Sequence, residues 1–384
     1  MAWNRLAFGI PLLLLAVVAL AVFALDPLAK FGAGLPPEEA LVVERVSTGP
    51  DGIVARIRGD GRDPVQIAQV QVDGASWTFR QTPAGPLHRL ATAQITVPYP
   101  WVAGETHHMR FVTSTGATFD YTIDVARTSP AADAATLFNL ALLGLFVGIV
   151  PVALGMMTLP VLRRMGSEGI VFALALTIGL LAFLLVDTLS EGLELATDAA
   201  SAFQADVAVW MAAALTFLGL TAISRRSNLP AGGAALATWL AIGIGFHNFG
   251  EGLSIGVALS FGNAALGSLL IVGFTVHNLT EGVAIVAPVT RRKVSLAMLA
   301  GWAAIAGLPA VAGAWIGAFT FVPHWGAVFF GIAAGAILQV MIEVGRTIWS
   351  MRGAGQENAP AGTAFAGFGA GVLVMYATAF LVQI

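Results

Sequence analysis

The sequence contains no cysteine, which rules out disulfides, thiolate metal sites and thiol nucleophiles together. It is poor in charge as well: 11% of its 384 residues are Asp, Glu, Lys or Arg, where soluble domains carry about 25%. Beyond short loop clusters no basic run appears, and a net charge of −3 gives nucleic acid nothing to hold. The His-Glu-x-x-His signature of helical zinc hydrolases is missing too. What the chain has in abundance is apolar. With 57% hydrophobic residues and a mean hydropathy of +0.82, it reads as an integral membrane protein whose first partner is the lipid bilayer. Arginine far outnumbers lysine, and alanine and glycine abound. That is a GC-rich bacterial bias, so the expected location is a bacterial inner (cell) membrane.

Texture divides the chain into three segments. Residues 1–27 hold an apolar run from about Leu6 to Leu25 behind Arg5. The run is long for a signal peptide and lacks a convincing small-x-small cleavage site before Asp26, which favours a retained transmembrane anchor over a cleaved signal. Across residues 40–128 charges and turn residues return. Period-2 alternation runs through Ile53-Val54-Ala55-Arg56-Ile57-Arg58 and through Val65 to Val72, punctuated by Pro50-Asp51-Gly52, Gly59-Asp60-Gly61 and Asp73-Gly74. This predicts a small β-sandwich of immunoglobulin-like kind, with a linker over Arg127 to Asp133.

Residues 134–384 are almost wholly apolar. Eight helices are predicted, starting near Thr136, Gly169, Ala205, Gly233, Ala264, Val294, Gly326 and Gly362. Each has about 20 residues or more, enough to cross the hydrocarbon core. The fold expected is thus a multi-pass α-helical membrane protein, an eight-helix bundle preceded by an anchor helix and a small β-sandwich. Arg163-Arg164, Arg225-Arg226, Arg291-Arg292-Lys293 and Arg346 with Arg352 follow the first, third, fifth and seventh helices. If all eight helices cross, these clusters share one side, which the positive-inside rule makes cytoplasmic. The β domain and the C-terminus at Ile384 are then extracytoplasmic.

Two consecutive predicted helices carry nearly the same words: Phe246-His247-Asn248-Phe249-Gly250-Glu251-Gly252 and Val276-His277-Asn278-Leu279-Thr280-Glu281-Gly282. Polar clusters inside a bilayer are costly and mark function by default. Residues four apart share a helix face, so His247 points with Glu251 and His277 with Glu281, while Asn248 and Asn278 line a neighbouring position. If the two helices face each other, two imidazoles and two carboxylates converge. That set suits a divalent cation of the zinc, iron or manganese kind, and the asparagines with the same carboxylates suit an adjacent second position. The competing explanation is a pair of polar packing seams between helices. Weaker echoes occur in the second helix, with Asp187 and Glu191 four apart, and in the seventh, with Gln339 and Glu343. These are candidate path-lining residues. The competing explanation is that Glu191 and Glu194 lie at the outer membrane surface and are solvated.

With those motifs, the chain resembles the ZIP (Zrt/Irt-like) family of divalent metal transporters over roughly Thr136 to Ile384. In that family the fourth and fifth of eight helices carry His-Asn-x-Pro-Glu-Gly-type motifs around a binuclear metal site. The resemblance implies coordination by His247, Glu251, His277 and Glu281, with Asn248 and Asn278 serving a second position. It also implies an alternating-access or elevator-like path through two inverted three-helix repeats around the central pair. Three departures stand out. Gly250 and Thr280 replace the family's prolines, Asp187 stands where many relatives have histidine, and Leu308-Pro309 replaces an acid-proline pair. The short loop after the third helix also lacks histidine.

Transport of zinc, with iron or manganese as further cargo, is therefore expected rather than catalysis. The rivals are a metal-sensing receptor, with the β domain reporting occupancy, and an intramembrane metal-dependent hydrolase using a glutamate base. Homodimerisation, and a partner for the β domain, are left open. In the β domain Glu105, His107-His108 and His88 invite a metal reading, but adjacent strand residues face opposite ways.

Overall fold

The structure is a computed structural model describing residues 13–18, 20–21, 38–226, 233–260, 264–353 and 361–383. Of the expected anchor over 1–27, residues 13–18 and 20–21 are helical and the rest lies outside the described residues, as does Ile384. Residues 39–384 form a compact unit of their own.

That unit begins with eight strands: β1 (Leu41–Gly49), β2 (Gly52–Gly59), β3 (Ile67–Val72), β4 (Ala75–Trp77), β5 (Arg80–Thr82), β6 (Thr92–Val97), β7 (His107–Thr113) and β8 (Thr118–Ile123). They form two four-stranded sheets, ordered β1-β2-β6-β5 and β4-β3-β7-β8, all pairs antiparallel. The alternation read in the sequence becomes the core: Ile53, Ala55 and Ile57 of β2 and Val70 and Val72 of β3 are buried with Ile95 and Phe111. Asp73 and Gly74 turn β3 into β4 with φ of 52° and 78°, the two left-handed positions that a type I′ hairpin requires.

Eight long helices follow: α1 (Ala134–Met156), α2 (Ser167–Thr197), α3 (Ala205–Arg226), α4 (Ala234–Ser260), α5 (Ala264–Val286), α6 (Leu296–Phe319), α7 (Pro323–Gly353) and α8 (Ala361–Gln383). Asp133 caps α1, its carboxylate accepting from Thr136 N at 2.7 Å, and Ser295 Oγ caps α6 by accepting from Met298 N at 3.2 Å. Among the described residues, seven helices are long and apolar enough to cross a membrane. The long helix outside that set is α4, where His247, Asn248 and Glu251 interrupt the apolar run.

Packing follows a pattern. α4 lies along α6 and α5 along α1; α2 lies along α8 and α3 along α7; α2 meets α7, α1 meets α6, and α4 meets α5. Glycines allow the tightest crossings. A Cβ on Gly252 would strike Ala310 O of α6, and one on Gly282 would strike Val152 O of α1. Small residues at helix interfaces are the usual route to close packing where lipid offers no hydrophobic drive.

The two ends of the bundle differ in chemistry. At one, Arg163 donates to Arg292 O at 2.8 Å, and Glu343 accepts from Ser224 Oγ at 3.2 Å and Arg346 at 3.1 Å. The loop clusters that sequence assigns to one side thus meet there. At the other end the β domain docks. Arg45 donates to Ala318 O and Phe319 O, both at 2.6 Å, satisfying the last turn of α6 with a cation where the helix dipole is negative. Burial and the neighbouring Arg56 lower the Arg45 pKa. Asp60 accepts from Ser201 N at 2.8 Å and Ala202 N at 3.3 Å, just ahead of α3. The Arg58 guanidinium lies over the Phe203 ring, which stacks on His324.

Candidate functional site

The doubled motif brings its polar residues to the seam between α4 and α5. Relative exposure is 6% for His247, 0% for Asn248, 3% for Glu251, 0% for Asn278 and 2% for Glu281. His247 Nε2 lies 3.1 Å from Glu251 Oε1, one turn along the same helix. Asn278 reaches across from α5 and donates to Glu251 Oε2 at 2.9 Å. Glu281 lies within electrostatic range of His247 and Glu251, beside the Asn248 amide. Neither of its oxygens has a partner of hydrogen-bonding geometry among the described residues. The side chain of His277 lies outside the described residues.

Both asparagines are oriented by backbone. Asn248 Nδ2 donates to Ala306 O of α6 at 3.0 Å, and Asn278 Nδ2 to Val147 O of α1 at 3.1 Å. Prolines explain the second of these. Pro151 has no N–H, so the carbonyl four residues earlier, Val147 O, loses its helical donor and takes the carboxamide instead. In α6, Pro309 likewise frees Ile305 O, one residue from the carbonyl that Asn248 uses. Gly245 leaves room for α4 against this turn of α6, since a Cβ there would sit 2.5 Å from Ile305 O. With the NH2 groups committed to acceptors, the oxygens Asn248 Oδ1 and Asn278 Oδ1 are left without partners among the described residues.

The arrangement gathers one imidazole, two carboxylates and two carboxamide oxygens, all ligand types for a divalent ion. Among the described residues no group of three or more His, Asp or Glu side chains is arranged to hold a metal ion. His247 and Glu251 are engaged with each other instead.

The other predicted residues separate. Asp187 is exposed on α2. Glu191 accepts weakly from Ser254 Oγ at 3.5 Å and lines a cavity of about 480 Å3 between the β domain and the bundle. Glu194, Asp198 and Asp124 share that lining with Leu253 and Ser254, one turn along α4 from Glu251. Burial, then Glu194, pushes the Asp198 carboxyl up. Gln339 is buried, with neither amide atom partnered among the described residues. Glu343 belongs to the basic end of the bundle, held by Ser224 and Arg346.

One residue at the site carries no sequence signal: Thr188, buried on α2, whose hydroxyl lies 3.3 Å from His247 Nδ1. Pro151 was readable, since a proline inside an apolar helix announces a carbonyl in need of a donor. In the β domain, His107 is buried and His108 exposed. His107 Nδ1 meets Asp73 Oδ2 at 2.8 Å, and Tyr99 donates to the same oxygen at 2.7 Å. Burial raises the Asp73 pKa, but hydrogen bonds from Tyr99, His108 N and His107 outweigh it and hold the carboxyl at about 2. His107 thus braces the β3–β4 turn. Compared with known proteins, the chain matches no family model and no curated sequence.

Proposed function

We propose that this chain carries divalent metal cations across a membrane, in the manner of a ZIP-like eight-helix transporter. The observation that carries the reading is the pair Glu251 and Glu281, buried on adjoining helices beside His247 and two buried carboxamide oxygens that have no partner among the described residues. Two carboxylates inside apolar surroundings are expensive, and a dication is the complement that neutralises both. His247, Glu251, His277 and Glu281 serve as principal ligands in this reading, with Asn248 and Asn278 as neutral ones. An incoming ion replaces the His247–Glu251 hydrogen bond. Imidazole with carboxylate suits zinc first, and iron or manganese next.

The packing pattern supports the architecture. Exchanging α1 with α6, α2 with α7, α3 with α8 and α4 with α5 maps the seven helix pairs named above onto one another, as two inverted three-helix repeats around a central pair would. The basic end is then cytoplasmic, and the β domain and C-terminus lie outside a bacterial inner membrane. The ion enters by the acid-lined cavity beneath the β domain, passes Ser254 and leaves toward the arginines.

Uptake into proteoliposomes tests this directly with Zn2+, Mn2+ and Fe2+. The double variant His247→Ala/His277→Ala is expected to lose transport; a variant as active as the parent refutes the site. Coordinating imidazoles must be neutral, so uptake falls below about pH 6.

A further inference from the structure

A buried helical threonine normally satisfies its hydroxyl on the carbonyl four residues earlier. Buried Thr177 and Thr378 do so at 3.0 and 2.8 Å, and half-buried Thr238 and Thr275 at 2.9 and 2.7 Å. Thr188 makes no such bond among the described residues. Its hydroxyl turns away from α2 to His247 Nδ1 on α4, at 3.3 Å, and Thr188 is only 2% exposed. The other ring nitrogen faces Glu251 Oε1 at 3.1 Å, and Glu251 Oε2 is already occupied by the Asn278 donor.

The directions of these bonds follow from chemistry. A carboxylate oxygen only accepts, so in the neutral imidazole of the metal-free protein Nε2 carries the proton and Nδ1 presents its lone pair to the Thr188 O–H. A cation shared with Glu251 needs the lone pair on Nε2. The imidazole proton must then sit on Nδ1, and the partner there must accept rather than donate. A hydroxyl can do both without moving; a methyl can do neither.

We infer that Thr188 is a positioning residue for His247, its hydroxyl donating to Nδ1 when the site is empty and accepting from Nδ1–H when a cation is bound. The inference rests on the reading of His247 as a metal ligand, and it adds a residue from outside the doubled motif. Partners of this kind fix ring orientation and tautomer, and their loss lowers metal affinity about 10–100-fold.

The test compares parent, Thr188→Val and Thr188→Ser in full-length purified protein, with Thr188→Ala replacing the valine variant if that does not fold. Zn2+ titration gives affinity, and 15N spectra of labelled histidine give the state of Nδ1. Thr188→Val is expected to bind Zn2+ about tenfold more weakly. Its metal-free Nδ1 resonance should move downfield, as a nitrogen does on losing a donor, and Thr188→Ser should restore both. A valine variant with unchanged affinity and an unmoved Nδ1 resonance overturns the inference. So does failure of serine to rescue, because that marks a packing role. A parent protein that binds no Zn2+ sinks the transport reading instead, and the metal-free nitrogen shift still decides whether Thr188 sets the imidazole.

Discussion

The two copies of the motif are almost identical in sequence, yet their carboxylates meet different fates. Glu251 on α4 is held by His247 from its own helix and by Asn278 from α5. Glu281 on α5 has no partner of hydrogen-bonding geometry among the described residues. The asparagines behave alike in outline, each donating to a carbonyl of the outer helix beside it, α6 for Asn248 and α1 for Asn278. Asn278 also donates to the carboxylate of the opposite copy, whereas Asn248 lies beside Glu281 of the other copy without a bond of hydrogen-bonding geometry among the described residues. Duplication therefore sets the frame symmetrically, while the polar contacts inside it are assigned unequally. Glu251 is tied into the seam by two donors, and under the proposed function Glu281 is the carboxylate left to a cation.

The sharpest way to break that contrast is to neutralise each acid in turn. Glu251→Gln replaces a carboxylate that accepts from two donors with an amide that has one acceptor oxygen, so the charge assistance of both bonds is lost and His247 must carry its proton on Nδ1 to pair with the new NH2, at a cost of about 1–3 kcal/mol. Glu281→Gln replaces a buried carboxyl group that has no partner of hydrogen-bonding geometry among the described residues, so the metal-free protein should unfold at the same temperature as the parent or higher. Both variants should lose at least about tenfold in Zn2+ affinity, since each removes a proposed ligand. Thermal unfolding in detergent, without and with Zn2+, separates the two effects. Equal destabilisation of the metal-free protein by both substitutions would erase the proposed division of labour.

A smaller difference is expected between the asparagines. Asn278→Leu forfeits bonds to Val147 O and Glu251 Oε2 and leaves a proline-freed carbonyl bare in an apolar helix. Asn248→Leu forfeits one bond, to Ala306 O. The costs should be about 2–3 and about 1 kcal/mol respectively. Adding Pro151→Ala returns an N–H to Val147 O, so it should recover part of the loss in Asn278→Leu and none in Asn248→Leu. Equal rescue of both would show that the proline plays no part.

The sequence shows the helices clearly and their contacts hardly at all. The starts read at Ala205 and Ala264 coincide with those observed for α3 and α5, and the other six lie within three residues, because a long apolar run bounded by charge leaves little choice. The strands of the β domain were legible for the same reason, as alternation at Ile53, Ala55 and Ile57 fixes a buried face. The Glu251–His247 pairing was legible as well, being a consequence of helical pitch. What crosses from one helix to another was not. Thr188 looks like any threonine in an apolar helix, and Arg45 looks like a charge on an outer strand. Their partners, His247 and the end of α6, are fixed by packing over 59 and over 270 positions of chain. Asp187, Glu191, Gln339 and Glu343 repeat the four-residue spacing of the motif. Spacing places residues on one face of a helix without saying what that face meets, and here Glu343 meets Arg346 at the basic end.

The smallest expected difference between the copies is at their closing glycines, and it tests the symmetric half of the comparison. A Cβ on Gly252 runs into the Ala310 carbonyl of α6, and one on Gly282 into the Val152 carbonyl of α1. Neither obstacle is a flexible side-chain end, so the helices must separate. Gly252→Ala and Gly282→Ala should each cost about 1–3 kcal/mol, the range for overpacked interiors. The two costs should agree to within about 0.5 kcal/mol, the scale on which independent sites add. A glycine variant tolerated at one copy and ruinous at the other would mean that the helix frame is as unequal as the carboxylates. The asymmetry of Glu251 and Glu281 would then follow from backbone placement rather than from which donors reach them.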